Sequence, residues 1–323
     1  MVDLLLLFLP FFTLVLLGWS ATRGGLLPLA GIGAINTFVL YFALPPLVFR
    51  LAASGALAQP GLSGLLLAYG LAGLVVVGLA CLWARARGLA QRDIGLVALV
   101  TVFPNSGFLG LPLLTGLLGN QAAGPVVATM LVDVLGLSSL CLALANAHGV
   151  QHALQGAARN PMLWALALGL VASFTGLHLP HALDEVLRLL AQAATPAALF
   201  TLGAVLARTG MQASARSATQ GGGQGAQAPL WWPTLLKLAV HPALVWGVAT
   251  GLKAAGWVLP WPGLLALCLA AALPSAGNVL MLAEREGADT GLVARIILWT
   301  TVGSLGSLLL WSATLGVRPV LAH

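Results

Sequence analysis

Apolar runs of roughly twenty residues recur from one end of the chain to the other, and this pattern leaves few folds open. A helix that crosses a bilayer needs roughly 20 mainly apolar residues. Runs of that kind fall at residues 2–19, 34–49, 62–84, 94–118, 122–145, 161–175, 186–207, 233–255, 262–283 and 291–314. The gaps between them are short, so 323 residues leave no room for a soluble domain. Only 7% of the residues are charged, against roughly 25% in a soluble domain, and the mean hydropathy is +1.00. In hydrocarbon each backbone polar group must be satisfied within its own segment or barrel. The expected fold is an all-α membrane protein of about ten transmembrane helices.

The formal charge of +6 does not indicate a nucleic-acid partner, because the fourteen Lys and Arg residues are spread over the loops and form no basic patch. In such a chain loop charge sets orientation. With the N-terminus outside, ten cations fall on the cytoplasmic side: Arg23, Arg85, Arg87, Arg92, Arg159, Arg208, Arg216, Lys237, Arg285 and Arg295. Four fall outside: Arg50, Arg188, Lys253 and Arg318. This bias predicts an inner-membrane protein with both termini outside. The first run carries Asp3 and lacks the basic start of a signal peptide, so it is read as a retained span. Trp19, Trp83, Trp231, Trp232, Trp257, Trp261 and Trp311 lie at span ends, where an amphipathic ring suits the headgroup layer. Trp246 and Trp299 lie inside spans and are read as packing residues. Cys81, Cys141 and Cys268 lie in apolar runs and read as small hydrophobes. Residues 209–229, rich in Gly, Ala and Gln, read as a flexible cytoplasmic linker.

An internal repeat is visible once that linker is removed. ALPPLVF ends at Phe49 in the second span and ATPAALF ends at Phe200 in the seventh, an offset of 151. FPNSG carries Pro104 in the fourth span and LPSAG carries Pro274 in the ninth, an offset of 170. The offsets differ by about the length of the linker. The chain therefore divides into five-helix repeats, 1–147 and 148–323. Five is odd, so the second repeat is inverted relative to the first, an arrangement found in secondary transporters.

Pro104 and Pro274 stand near the middle of their spans. A proline there removes a backbone donor and clashes with the preceding turn. Each is followed by small polar residues: Asn105, Ser106 and Gly107 after the first, Ser275, Gly277 and Asn278 after the second. If both helices unwind and cross, two half-helix N-termini meet at mid-depth. Their free amides and positive dipole ends would form a site for an anion. The candidate binding residues are Pro104, Asn105, Ser106, Gly107, Pro274, Ser275 and Asn278. Such a site would hold a carboxylate without a buried arginine.

FPNSGFLGLPLL (residues 103–114) resembles the fourth-helix motif of the auxin efflux carrier family, which includes bacterial malonate-type carriers and plant auxin carriers. INTFVLYFALPPLVF (35–49), NPMLWALALGL (160–170) and ALPSAGNVLMLAEREGAD (272–289) resemble its second, sixth and ninth helices. The resemblance implies inverted five-helix repeats with crossed, broken fourth and ninth helices, a fold shared with bile-acid sodium symporters. It implies a scaffold of helices 1, 2, 6 and 7, a transport domain of helices 3–5 and 8–10, an elevator-type movement, and often a homodimer. In the plant carriers the crossover proline and its neighbouring asparagine hold the substrate carboxylate. Those roles map onto Pro104 and Asn105, and the second crossover onto Pro274. The long cytoplasmic loop of the plant carriers is absent, so the resemblance implies a bacterial member.

Asp133 is the one carboxylate deep inside a span. A charged Asp at a helix centre costs roughly 2.5–3.5 kcal/mol on insertion scales. It is a candidate for a coupling proton or for ligating a cation. Its charge would repel a carboxylate substrate, so protonation would couple the two. Asn36 and Thr37 are candidates for the scaffold side of the cavity. His148 with His152, and His178 with His181, have metal-pair spacing but no third ligand, so they read as interfacial residues and no metal is expected. His241 reads as a packed residue. Gly70, Gly73, Gly303 and Gly306 read as helix-packing positions.

The partners this implies are the bilayer and a small organic anion, with possible H+ or Na+ coupling and no other cofactor. A sodium-coupled symporter of the bile-acid type is the alternative carrier. An intramembrane enzyme would need more than one buried ionisable residue, and a channel would not need the repeat.

Overall fold

The computed structural model describes residues 2–55, 60–146, 151, 155, 158, 160–177, 179–219 and 229–317. The chain is built from helices: α1 (Val2–Arg23), α2 (Leu29–Ala53), α3 (Leu62–Ala86), α4 (Gln91–Val102), α5 (Ser106–Leu118), α6 (Asn120–Ala145), α7 (Pro161–Thr175), α8 (His181–Thr219), α9 (Trp231–Ala254), α10 (Trp261–Ala271), α11 (Val279–Glu286) and α12 (Thr290–Thr314). Among the described residues six helices are long and apolar enough to cross a membrane, and shorter apolar helices accompany them. The protein is a multi-pass membrane protein.

The fourth and ninth predicted spans are each broken in two, giving α4 with α5 and α10 with α11. The break follows from proline chemistry. The residue before a proline is pushed out of the helical region, and Phe103 is extended at φ −78°, ψ 107°. Residue 105 lies outside helical geometry too, at φ −78°, ψ 55°. Four spans also carry π-helical stretches: Val39–Ala43 in α2, Ser106–Gly110 at the start of α5, Val132–Leu137 in α6 and Leu236–Val240 in α9. Such stretches add a residue to a turn and often mark functional positions.

Small residues set how closely the helices approach. α1 lies along α8, where a Cβ on Gly18 would sit 1.9 Å from the carbonyl oxygen of Phe200 and one on Gly203 would sit 1.8 Å from that of Val15. α7 lies on α2 through Gly169, and α4 lies on α6 through Gly95. Of the packing glycines expected from sequence, Gly73 and Gly303 do face side chains closely, Leu137 and Leu238 respectively, while Gly306 faces open space. The main core centres on α3, α4, α5, α6, α9, α10 and α12, and residues of α1, α2, α7, α8 and α11 join it.

Several boundaries differ from the sequence reading. Residues 209–219 continue α8 as helix where a flexible linker is expected. The rest of that segment, up to residue 228, lies outside the described residues, as do His148, His152 and His178. Trp246 packs edge-on against Trp261 at 5.6 Å, whereas Trp299 is 56% exposed and is not a packing residue. Outside the membrane core, Arg50 pairs with Asp184 and Arg188 with Glu185.

Candidate functional site

The two breaks touch. The amide of Asn105 donates to the carbonyl of Pro274 at 2.8 Å, and the amide of Ala276 donates to that of Phe103 at 3.0 Å. Pro104 and Ser275 thus face each other in an isolated antiparallel bridge. Pro104 has no donor of its own, so its neighbours Phe103 and Asn105 make the exchange with Ala276 and Pro274. The amide of Ser275 is taken by Thr300 Oγ1 of α12 at 3.2 Å, and that of Ser106 by the carbonyl of Pro104 at 2.8 Å. Backbone groups at this depth need such partners, since hydrocarbon offers none.

The bridge corrects part of the sequence reading. The amides of Asn105 and Ala276 are consumed by the crossover and are not free for an anion. The amides left without a backbone partner lie one step later, at Gly107 and Phe108 and at Gly277 and Asn278. Side-chain atoms are also left over. Asn105 Nδ2, Ser106 Oγ and Ser275 Oγ are buried and make no hydrogen bond. Buried polar atoms without partners are rare in native proteins, and each one calls for a reason.

A cavity of about 240 Å³ opens beside the crossover. α2 contributes Ile32, Gly33, Asn36 and Thr37. The first break contributes Asn105 and Phe108, α8 contributes Thr201, Leu202, Val205 and Arg208, and the second break with α11 contributes Gly277, Asn278, Leu280, Met281 and Glu284. Of the candidate site residues named from sequence, Asn36, Thr37, Asn105 and Asn278 come together here. Pro104 and Pro274 form the bridge behind them. Ser106 and Ser275 are buried at the crossover and are not in the cavity lining. Gly107 is turned elsewhere, toward Met162 of α7 and Met130 of α6.

Arg208, counted from sequence among the cations of the cytoplasmic side, is half-buried in the cavity wall with its Nε unpartnered, a site role the sequence did not indicate. The site is not free of arginine. Its carboxylate counterpart in the wall, Glu284, is exposed.

The family model for membrane transport proteins, the auxin efflux carriers, matches residues 4–155 and 146–312. The chain belongs to this family. A full-length relative in the archaeon Methanothermobacter thermautotrophicus, named "Uncharacterized transporter", is 30% identical over 318 residues, covering 94% of this chain and 95% of that one. A Rhizobium meliloti protein named "Putative malonate transporter" is 27% identical over 322 residues, 95% of this chain and 94% of that protein. The "Uncharacterized transporter YfdV" of Escherichia coli K12 is 25% identical over 325 residues, 94% of this chain and 95% of that one.

In this auxin efflux carrier relative a second polar cluster lies apart from the cavity. Asp133 does not line the cavity; it is buried on α6, in the π-helical stretch. Tyr69 of α3 donates its hydroxyl to Asp133, with Oδ1 at 3.1 Å and Oδ2 at 3.2 Å. Lys237 of α9 lies within electrostatic reach of Asp133. It is fully buried, not at a helix end as the charge pattern suggests. Its Nζ donates to the carbonyl of Val102 at 3.0 Å and lies 3.4 Å from His241 Nδ1. His241 is more than a packed residue: its ring also lies against Tyr69, centroids 5.4 Å apart. The sequence did hold a signal for this cluster. Lys237 falls inside the predicted eighth span, four residues before His241, which puts both on one helix face.

Proposed function

We propose that this protein is a secondary transporter of small organic anions, with the substrate held against the crossover of the broken helices. One observation carries the reading: the side chain of Asn105, whose Nδ2 has no hydrogen-bond partner, stands in a cavity wall that also holds Arg208. Amide donors fix the orientation of a carboxylate, and a guanidinium binds it through a planar fork of N–H groups. The free amides of Gly277 and Asn278 add positive potential from the break that precedes α11. A cavity of about 240 Å³ suits an acid of a few carbon atoms. Malonate is the first substrate to test, on the name of the Rhizobium meliloti relative.

The transport cycle we infer is an elevator. α1, α2, α7 and α8 pack on one another through their small residues and would serve as the scaffold. The remaining helices share the main core and would move with the crossover. The cavity lies between these groups, which is where alternating access requires it. The same reading includes ten spans in two inverted five-helix repeats, an inner-membrane location and both termini outside. The cavity mouth carries Arg208 and Glu284, so in this orientation it opens to the cytoplasm.

The test is counterflow in proteoliposomes loaded with unlabelled malonate. Wild-type protein should accumulate labelled malonate, and Asn105→Ala should abolish accumulation while the protein stays folded. Equal accumulation by the variant would overturn the site. Sodium coupling of the bile-acid type is the alternative. Val102 at the end of α4 offers a carbonyl that a sodium ion could use, but the ammonium of Lys237 already occupies it. Replacing Na+ by choline should therefore leave uptake unchanged.

A further inference from the structure

We infer that Tyr69, Asp133, Lys237 and His241 form a buried proton-binding site that couples to the anion cavity through the end of α4. The inference deepens the carrier reading and rests on it. All four side chains are at most 1% exposed. They come from α3, α6 and α9, which close around the C-terminus of α4, and Cys141 is the further titratable group within electrostatic reach of Asp133. A helix end buried in lipid leaves carbonyls that need a donor, and its dipole favours a cation there. The bond from Lys237 Nζ to the carbonyl of Val102 meets both needs. Val102 is followed directly by the break and its bridge. Lys237 is thus a tethered cation on the same strip of backbone that carries Asn105.

The charges then fix the direction of coupling. With Asp133 ionised and Lys237 an ammonium, the cluster is neutral overall. A proton on Asp133 leaves the ammonium uncompensated, and the cluster becomes a single positive charge behind the crossover. That charge attracts an anion in the cavity on the other side. His241 is the poorer place for the proton, since a second cation beside Lys237 would be repelled. By linkage, an anion in the cavity favours a proton on the cluster to the same extent. Proton and anion therefore travel together, from the side where both bind to the side where both leave. Asp133 and Lys237 both sit in π-helical stretches, and a register change in either helix would alter the distance between their charges.

The test uses the purified full-length protein and malonate binding by isothermal titration across pH. Wild-type affinity should fall as pH rises between the cluster's titration in the free protein and its titration in the anion-bound protein, by at most about tenfold per pH unit, the limiting slope for one linked proton. Asp133→Asn mimics the protonated cluster. It should bind malonate with a flat pH profile, at the affinity wild type has in acid. A wild-type slope in that variant would overturn the proposal. Tyr69→Phe keeps the volume and removes one hydrogen bond, so it should displace the midpoint of the slope; an unmoved midpoint would also overturn it. If malonate binds at no pH, the substrate assignment fails separately. The proton site is then read from the thermal midpoint of ligand-free protein against pH. Wild type and the charge-neutral double variant Asp133→Asn with Lys237→Gln should give curves of different shape. Coincident curves would refute the site.

Discussion

Arg208 and Glu284 share one cavity wall but should act in opposite senses. A charge-assisted hydrogen bond is worth roughly 1.5–3 kcal/mol, or about ten- to a hundredfold in affinity. Arg208→Gln should weaken anion binding by that factor, and Arg208→Lys should recover only part of it, because an ammonium lacks the planar fork. Glu284→Gln removes a like charge from the mouth and should strengthen binding by about two- to fivefold, the smaller effect of an exposed charge. Titration of malonate into the three purified variants checks all of this. Individual residues were readable from sequence only where a motif marked them. Asn105 and Asn278 follow the span-breaking prolines, and chemistry pointed to them. Arg208 stands at a predicted span edge, and hydropathy cannot say whether such a cation faces water, lipid or a cavity. Lys237 presents the opposite problem: it lies inside the eighth span, yet the charge pattern alone assigns it to the cytoplasmic side. Removing it leaves nine cytoplasmic cations against four, so the orientation argument holds without it.

At the scale of elements, the prolines made the broken helices predictable, whereas the bridge between them was not. Proline says that a helix is interrupted. It does not say where the freed backbone groups find partners, and that depends on two segments 170 residues apart. The bridge is braced from α12 by Thr300, whose hydroxyl accepts from Ser275 and donates to the carbonyl of Ile296 at 2.8 Å. Thr300→Val keeps the shape but leaves the Ser275 amide buried and unpaired, which costs about 1–3 kcal/mol. A lower thermal midpoint in detergent is the expected result, and a midpoint equal to wild type would mean that the amide has another acceptor. The close pairing of α1 with α8 gives a sharper contrast. An added methyl at Gly203 would overlap the carbonyl of Val15, on a helix whose backbone has no room to yield. Overpacking of this kind costs about 1–3 kcal/mol. Gly203→Ala should therefore destabilise the protein. Gly78→Ala in α3 meets nothing within 4 Å and should be neutral or stabilising by up to about 1 kcal/mol, the helix-propensity gain.

For the whole molecule, orientation decides what the cavity does, because an inward-facing mouth loads from the cytoplasm. The one-sided distribution of Lys and Arg argues for both termini outside. Two exposed alanines in opposite loops make the prediction testable without disturbing any of these charges: Ala90 between α3 and α4, and Ala255 between α9 and α10. The native thiols Cys81, Cys141 and Cys268 are buried, which keeps background reaction low. In intact cells a membrane-impermeant maleimide should label Ala255→Cys and spare Ala90→Cys, and lysis should expose the second site. The reverse pattern would turn the molecule over. Arg208 would then face the outside, the cavity would load from there, and the proton and anion would enter the cell through the conformation described here. The crossover chemistry would be unchanged in either case, because the bridge and the Lys237 contact with α4 depend on the fold and not on which way it is inserted.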